Sequence, residues 1–111
     1  MTTVVYCVRS WVDQRNGTPY LDWLEQKHMA EVRAQPGVTS ARRVRLDQTD
    51  AKGWAGYLLL YEFVDRAALA AYFASADRER FWRELETFKD VHYSERFWGD
   101  VDWVRGVSGP S

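Results

Sequence analysis

The chain has 111 residues, 46% of them hydrophobic and 28% charged, with a formal net charge of -1. That length suits one domain, predicted over residues 1–105 with a flexible tail at 106–111, and a chain this size buries roughly two-thirds of its unfolded surface. The charge balance gives no basic footprint for nucleic acid, and no apolar run reaches the roughly 20 residues that a membrane span needs.

One cysteine, Cys7, and two histidines, His28 and His92, are too few for a thiolate or zinc centre, so no metal and no cofactor is expected. The N-terminal stretch Met-Thr-Thr-Val-Val-Tyr lacks a basic segment followed by a signal-length apolar run, and a cytoplasmic location is expected.

Val4 to Val12 is rich in β-branched and aromatic residues and runs into the turn-forming stretch Asp13 to Gly17, which predicts a first strand. Thr18 is placed as an N-cap with Pro19 at the first helical position, and Pro36-Gly37 stops that helix. Thr39 to Leu46 follows as a second strand with a basic outer face. A polar loop from Asp47 to Gly53 leads to Trp54 to Val64, whose Tyr57 to Tyr61 run suits a central strand buried on both faces. Asp65 caps the next helix. Its apolar stripe of Leu69, Tyr72, Phe73 and Ala76 points roughly 160° away from the later set Phe81, Leu85 and Phe88, so a break is predicted at Ser75 to Asp77, with Asp77 as the new cap. Val91 to Trp103 forms the last strand.

The order β-α-β-β-α-β with two helical crossovers predicts an α+β, ferredoxin-like fold: a four-stranded antiparallel sheet with helices on one face. The strands still carry Tyr, Trp and Leu side chains that one layer of helices does not cover. A second copy packed sheet against sheet would cover them, so a homodimeric barrel is expected.

On the first helix Leu21, Leu24, His28 and Val32 fall within about 80° of one another, with the histidine near the middle of the apolar stripe. A histidine there must satisfy its ring nitrogens inside the core or serve as a proton carrier at a site. Trp23 sits on a second, smaller stripe of the same helix, either packing against a neighbour or walling a pocket. Arg9, Glu62 and Arg96, the last flanked by Phe97 and Trp98, are ionisable groups among strand aromatics. Each is either half of a cross-strand ion pair or a polar anchor of an apolar pocket.

The helix text Trp23 to Val32, the Pro36-Gly-Val-Thr-Ser-Ala-Arg-Arg43 turn and strand, Tyr61-Glu-Phe, the Ala68 to Tyr72 helix and Glu95-Arg-Phe together resemble the dimeric α+β barrel superfamily of EthD-like and antibiotic-biosynthesis-monooxygenase proteins. The likeness covers about Val4 to Val101. It implies a barrel dimer and an activity drawn from cofactor-free oxygenases, dehydratases and cyclases, or a member that only binds. No Asn-Trp-His set aligns with the haem-degrading members. The resemblance carries over His28, and Trp23 beside it.

The expected function is therefore a cofactor-independent enzyme for a hydrophobic, aromatic or polyketide-like small molecule, of cyclase, dehydratase, isomerase or monooxygenase type. His28 is its acid/base group, with Trp23, Arg9, Tyr61, Glu62, Arg96 and Trp98 as substrate contacts. The alternative is a non-catalytic dimeric module that binds an apolar metabolite. No Gly-rich phosphate loop or Ser-His-Asp order supports a kinase, dehydrogenase or hydrolase.

Overall fold

Parity along the first strand decides which side of the sheet becomes the core. In the computed structural model, which describes residues 2–106, β1 spans Val4–Val12 and buries Val4, Tyr6, Val8, Ser10 and Val12, while Val5, Cys7 and Trp11 are half-buried on the other face and Arg9 is exposed there. A helical run follows: α1 (Thr18–Trp23), a π-helical turn (Leu24–His28) and α2 (Met29–Arg33). Then come β2 (Val38–Thr49), β3 (Ala55–Phe63), α3 (Arg66–Phe73), α4 (Ala76–Glu86) and β4 (His92–Asp100). The sheet order is β2-β3-β1-β4 with every neighbouring pair antiparallel. This is the ferredoxin-like α+β arrangement. No helix among the described residues is long and apolar enough to cross a membrane.

Register carries the parity of β1 across the sheet. Tyr6 faces Tyr61 on β3 and Trp98 on β4, and Val8 faces Leu59 and Arg96, so these side chains share the helix-covered face. Val4, Tyr6, Val8, Leu59, Tyr61 and Phe63 form the sheet side of the core, and Tyr20, Leu24, Val32, Leu69, Tyr72 and Phe81 close it from the helices. The opposite face carries Leu58, Leu60, Val44 and Phe97, the last two exposed at 42% and 46%.

Two glycines permit close approaches that set this geometry. Gly37 follows the first helical run with φ +83°, a region that L side chains avoid, and a Cβ there would meet the Cβ of Ala68 on α3. At Gly56 a Cβ would run into the indole of Trp11, so the missing side chain lets that ring lie across β3 on the outer face.

Local chemistry departs from the sequence expectations at several points. The first helix is capped by Gly17, with Thr18 already helical and making no side-chain cap bond. Ser75, not Asp77, caps α4: its hydroxyl accepts from the Arg78 N–H, which leaves Asp77 in the first turn, where a negative charge suits the helix dipole. Asp65 caps α3 through the Ala68 N–H as expected. The basic residues of β2 divide between faces, since Arg43 and Arg45 align with Leu59 and Tyr57 on the helix side and only Arg42 aligns with Leu60. β4 ends at Asp100 rather than Trp103. Most of the expected tail, residues 107–111, lies outside the described residues.

Candidate functional site

The π turn determines what the first helical run offers the core. Tyr20, Leu24, His28 and Val32 are its buried residues. A spacing of four drifts by about 40° per step on an ideal α-helix. The wider turn at Leu24–His28, in which the Met29 N–H bonds the Leu24 carbonyl five residues back, realigns the column. It delivers His28 into a cleft between helices and sheet lined by Tyr6, Tyr61, Tyr72, Phe81, Trp82 and Arg96, among others.

Aromatic rings hold the imidazole. Trp23 stacks on it at 4.4 Å between centroids, nearly parallel, and Phe81 meets it edge-on at 4.6 Å. Nδ1 of His28 is buried without a hydrogen-bond partner, and so is the hydroxyl of Tyr61 across the cleft. Loss of solvent, then the nearby charge of Arg96, pushes the His28 pKa down to about 4, so the ring is neutral at pH 7. Burial also raises the Tyr61 hydroxyl well above its ordinary value, keeping it a neutral phenol. Two buried polar atoms without partners, on residues that line one aromatic cleft, are the feature a packed core avoids.

An ionic clasp roofs the cleft. The indole N–H of Trp23 donates to Glu84 at 3.3 Å, and Lys27 donates to Glu84 and Glu31 at 2.9 and 3.0 Å. Arg80 reaches the same two carboxylates at 2.9 and 3.1 Å and ties α4 to the first helical run. Each pair alone contributes little, but the network fixes the roof that positions Trp23. Behind the cleft a partly buried relay joins Tyr20 to Ser10 at 3.0 Å, Ser10 to Ser94 at 2.9 Å, and Ser94 to Nδ1 of His92 at 3.1 Å.

Of the residues singled out from sequence, His28, Trp23, Tyr61 and Arg96 converge on this cleft. Trp98 shares their face of the sheet but packs beside the cleft, on Phe73 at 4.9 Å and Tyr6 at 6.0 Å. Arg9 and Glu62 lie elsewhere. Arg9 pairs with Leu58 and Glu95 in register, and Glu62 with Val5, so both project from the opposite face; there Arg9 lies 3.8 Å from Glu95. Arg78, Tyr72, Phe81 and Trp82 line the cleft although the sequence reading did not propose them as site residues. For Arg78, Phe81 and Trp82 the i, i+3 and i+4 spacing on α4 was the available signal. Among the described residues no three His, Cys, Asp or Glu side chains come together as a metal set.

The unpartnered phenol yields a prediction opposite in sign to most core substitutions. Tyr61→Phe removes a buried hydroxyl that has no bond to lose, so stability is expected to rise by about 1–3 kcal/mol. Urea midpoints measure it, and a less stable variant would mean that the hydroxyl has a bound partner.

A family model matches residues 3–96. The chain belongs to the family described as Domain of unknown function (DUF4286). No curated protein matches this DUF4286 chain. Solved structures with the same fold include SnoaB of Streptomyces nogalater, a cofactor-independent oxygenase, at 18% identity and TM-score 0.60, with all of both chains covered. Another is the ActVA-Orf6 monooxygenase of Streptomyces coelicolor in complex with nanaomycin D, at 18% identity and TM-score 0.61, covering 99% of this chain and 94% of that one. An EthD family protein of Bacillus halodurans matches at 13% identity and TM-score 0.61, covering 89% and 97%. At these identities the likeness shows the fold, which this DUF4286 protein shares with antibiotic-biosynthesis-monooxygenase and EthD-like proteins. Chemistry must be argued from the cleft itself.

Proposed function

We propose that this DUF4286 protein is a cofactor-independent enzyme in which His28 accepts a proton from an acidic C–H or O–H of an aromatic small molecule held in the cleft. One observation carries the reading: the unpartnered Nδ1 of His28 and hydroxyl of Tyr61 in a cleft walled by aromatic rings. A neutral imidazole can take the proton, the Tyr61 hydroxyl can donate to the resulting oxyanion, and the stacked Trp23 fixes the ring plane. The anion can then cyclise, expel a hydroxyl group that leaves as water with the proton returned by His28, or react with dioxygen. The oxygenase fold neighbours support this class of chemistry by analogy.

Side chains leave about 20 Å³ open in the cleft, room for about one water. Admission of an aromatic ligand therefore requires the outer wall to move, and Trp82, 46% exposed, is its least buried large ring. The tight closure also favours a second reading, a binding module that sequesters its ligand unchanged. A second copy seated on Leu58, Leu60, Val44 and Phe97 would cover the apolar outer face and make the homodimer.

Native mass spectrometry of the purified protein tests both parts. The expected result is a dimer carrying a small aromatic molecule that is converted when the loaded protein is incubated in air. A monomer at micromolar concentration overturns the dimer. A ligand recovered unchanged, with and without dioxygen, overturns the enzyme and leaves the binder.

A further inference from the structure

The arginines at the cleft are not equivalent. Arg80 spends its donors on Glu31, Glu84 and Asp77, and those carboxylates are further engaged by Lys27, Trp23 and Gln35. The two cations of the roof, Arg80 and Lys27, are thus fully engaged by its three carboxylates. Arg78, two residues earlier on α4, and Arg96, on β4, both line the cleft, are both half-buried, and pair with no carboxylate among the described residues.

Aromatic faces hold these two guanidiniums in place of acids. Arg96 lies over the Trp82 ring at 4.5 Å, and Arg78 lies over Phe73 at 4.2 Å and over Trp82 at 5.5 Å. A cation on a ring face keeps its N–H edge free, because the attraction acts through the plane rather than through the donors. Arg78 commits one donor, to the Tyr6 hydroxyl at 3.4 Å. Two positive groups gathered on one indole repel each other, and half-burial weakens the water screening that would relieve them. The protein as a whole, at a net charge of -1, gives no general reason to hold cations there. An anion between them resolves the repulsion and uses the free donor edges, and the planar fork of a guanidinium matches a carboxylate.

We propose that the ligand of the cleft is an aromatic carboxylate, whose ring enters beside Trp23 and His28 and whose carboxylate is bound by Arg78 and Arg96. This rests on the reading of the cleft as the substrate site. It also has a consequence for His28: a bound anion offsets the positive charge of Arg96, one of the causes that depress the imidazole, and makes His28 a stronger base only when ligand is present.

The test compares 2-naphthoate with the neutral 2-naphthalenemethanol, titrated into the protein and followed by NMR. The expected result is at least tenfold tighter binding of 2-naphthoate, with the His28 titration moving upward in its presence. The double variant Arg78→Gln/Arg96→Gln is expected to lose that preference while still binding the alcohol, which shows that it folds. Equal affinities in the wild type, or a carboxylate preference surviving in the double variant, overturns the anion proposal and leaves the cleft as an apolar site. If neither probe binds the wild type, the substrate-site reading falls as well.

Discussion

His28→Gln is expected to lower turnover of the protein's own substrate by about 10²–10⁴-fold, the range that one positioned base supplies, with KM changed little. Glutamine fills a similar space and can still hydrogen-bond, so the Trp23 and Phe81 contacts have a partner of comparable size. It cannot accept a proton at neutral pH, and that is the capacity kcat reads. With its pKa at about 4, His28 is fully available as a base at pH 7 but a weak one, so the chemistry depends on an acidic substrate proton or on a bound anion that strengthens it. The measurement is kcat and KM for the ligand identified on the protein, with circular dichroism showing that the variant is folded. Turnover near the wild-type value would remove His28 from the mechanism and leave the unpartnered Tyr61 hydroxyl to explain.

The same column of residues shows how far a single sequence can be read. The fold was legible because its signals agree: β-branched strands, a Pro-Gly stop at 36–37, an Asp cap at 65 and two helical stripes too far apart for one helix. His28 was legible because a polar residue interrupts an apolar stripe. Tyr20 was not, since a wheel drawn at the α-helical angle places Leu21 on the core side, and only the strict spacing of four from Tyr20 to Val32 betrays the π turn that straightens the column. The faces of Arg9 and Glu62 were not legible for a different reason. Both faces of β1 and β3 carry large apolar residues, Val5 and Trp11 on one and Tyr6 and Val8 on the other, so alternation alone does not say which face meets the helices. Register settles it, and register depends on contacts far apart in the chain.

Acidification is expected to weaken the wild-type protein by about 2–3 kcal/mol more than His28→Gln between pH 7 and pH 4.5, read as the shift of the urea midpoint at each pH. The sign follows from where the proton binds first. The unfolded chain protonates His28 near 6.5, whereas the folded protein holds it to about 4, so between those values the unfolded state carries more protons and gains stability as pH falls. The stabilisation is therefore intact above about pH 6.5 and is lost as pH falls toward 4. His92, also held down to about 4 by burial and by Arg96, adds a loss of the same sign. The double variant His28→Gln/His92→Gln should consequently show the flattest curve in this window. Carboxylates act lower on the scale: burial raises Glu31 and Glu84, the hydrogen bonds from Lys27 and Arg80 outweigh it, and both end below their ordinary value, so their contribution fades only under more acidic conditions. Parallel curves for wild type and His28→Gln would mean that the imidazole is solvated in the folded protein, and the argument for a dry cleft would fail with it. An anionic ligand beside Arg96 would raise the folded-state value toward 6.5, so binding should flatten the wild-type curve as the substitution does. Acid sensitivity thus reports on the same buried, unpartnered nitrogen that the catalytic reading requires.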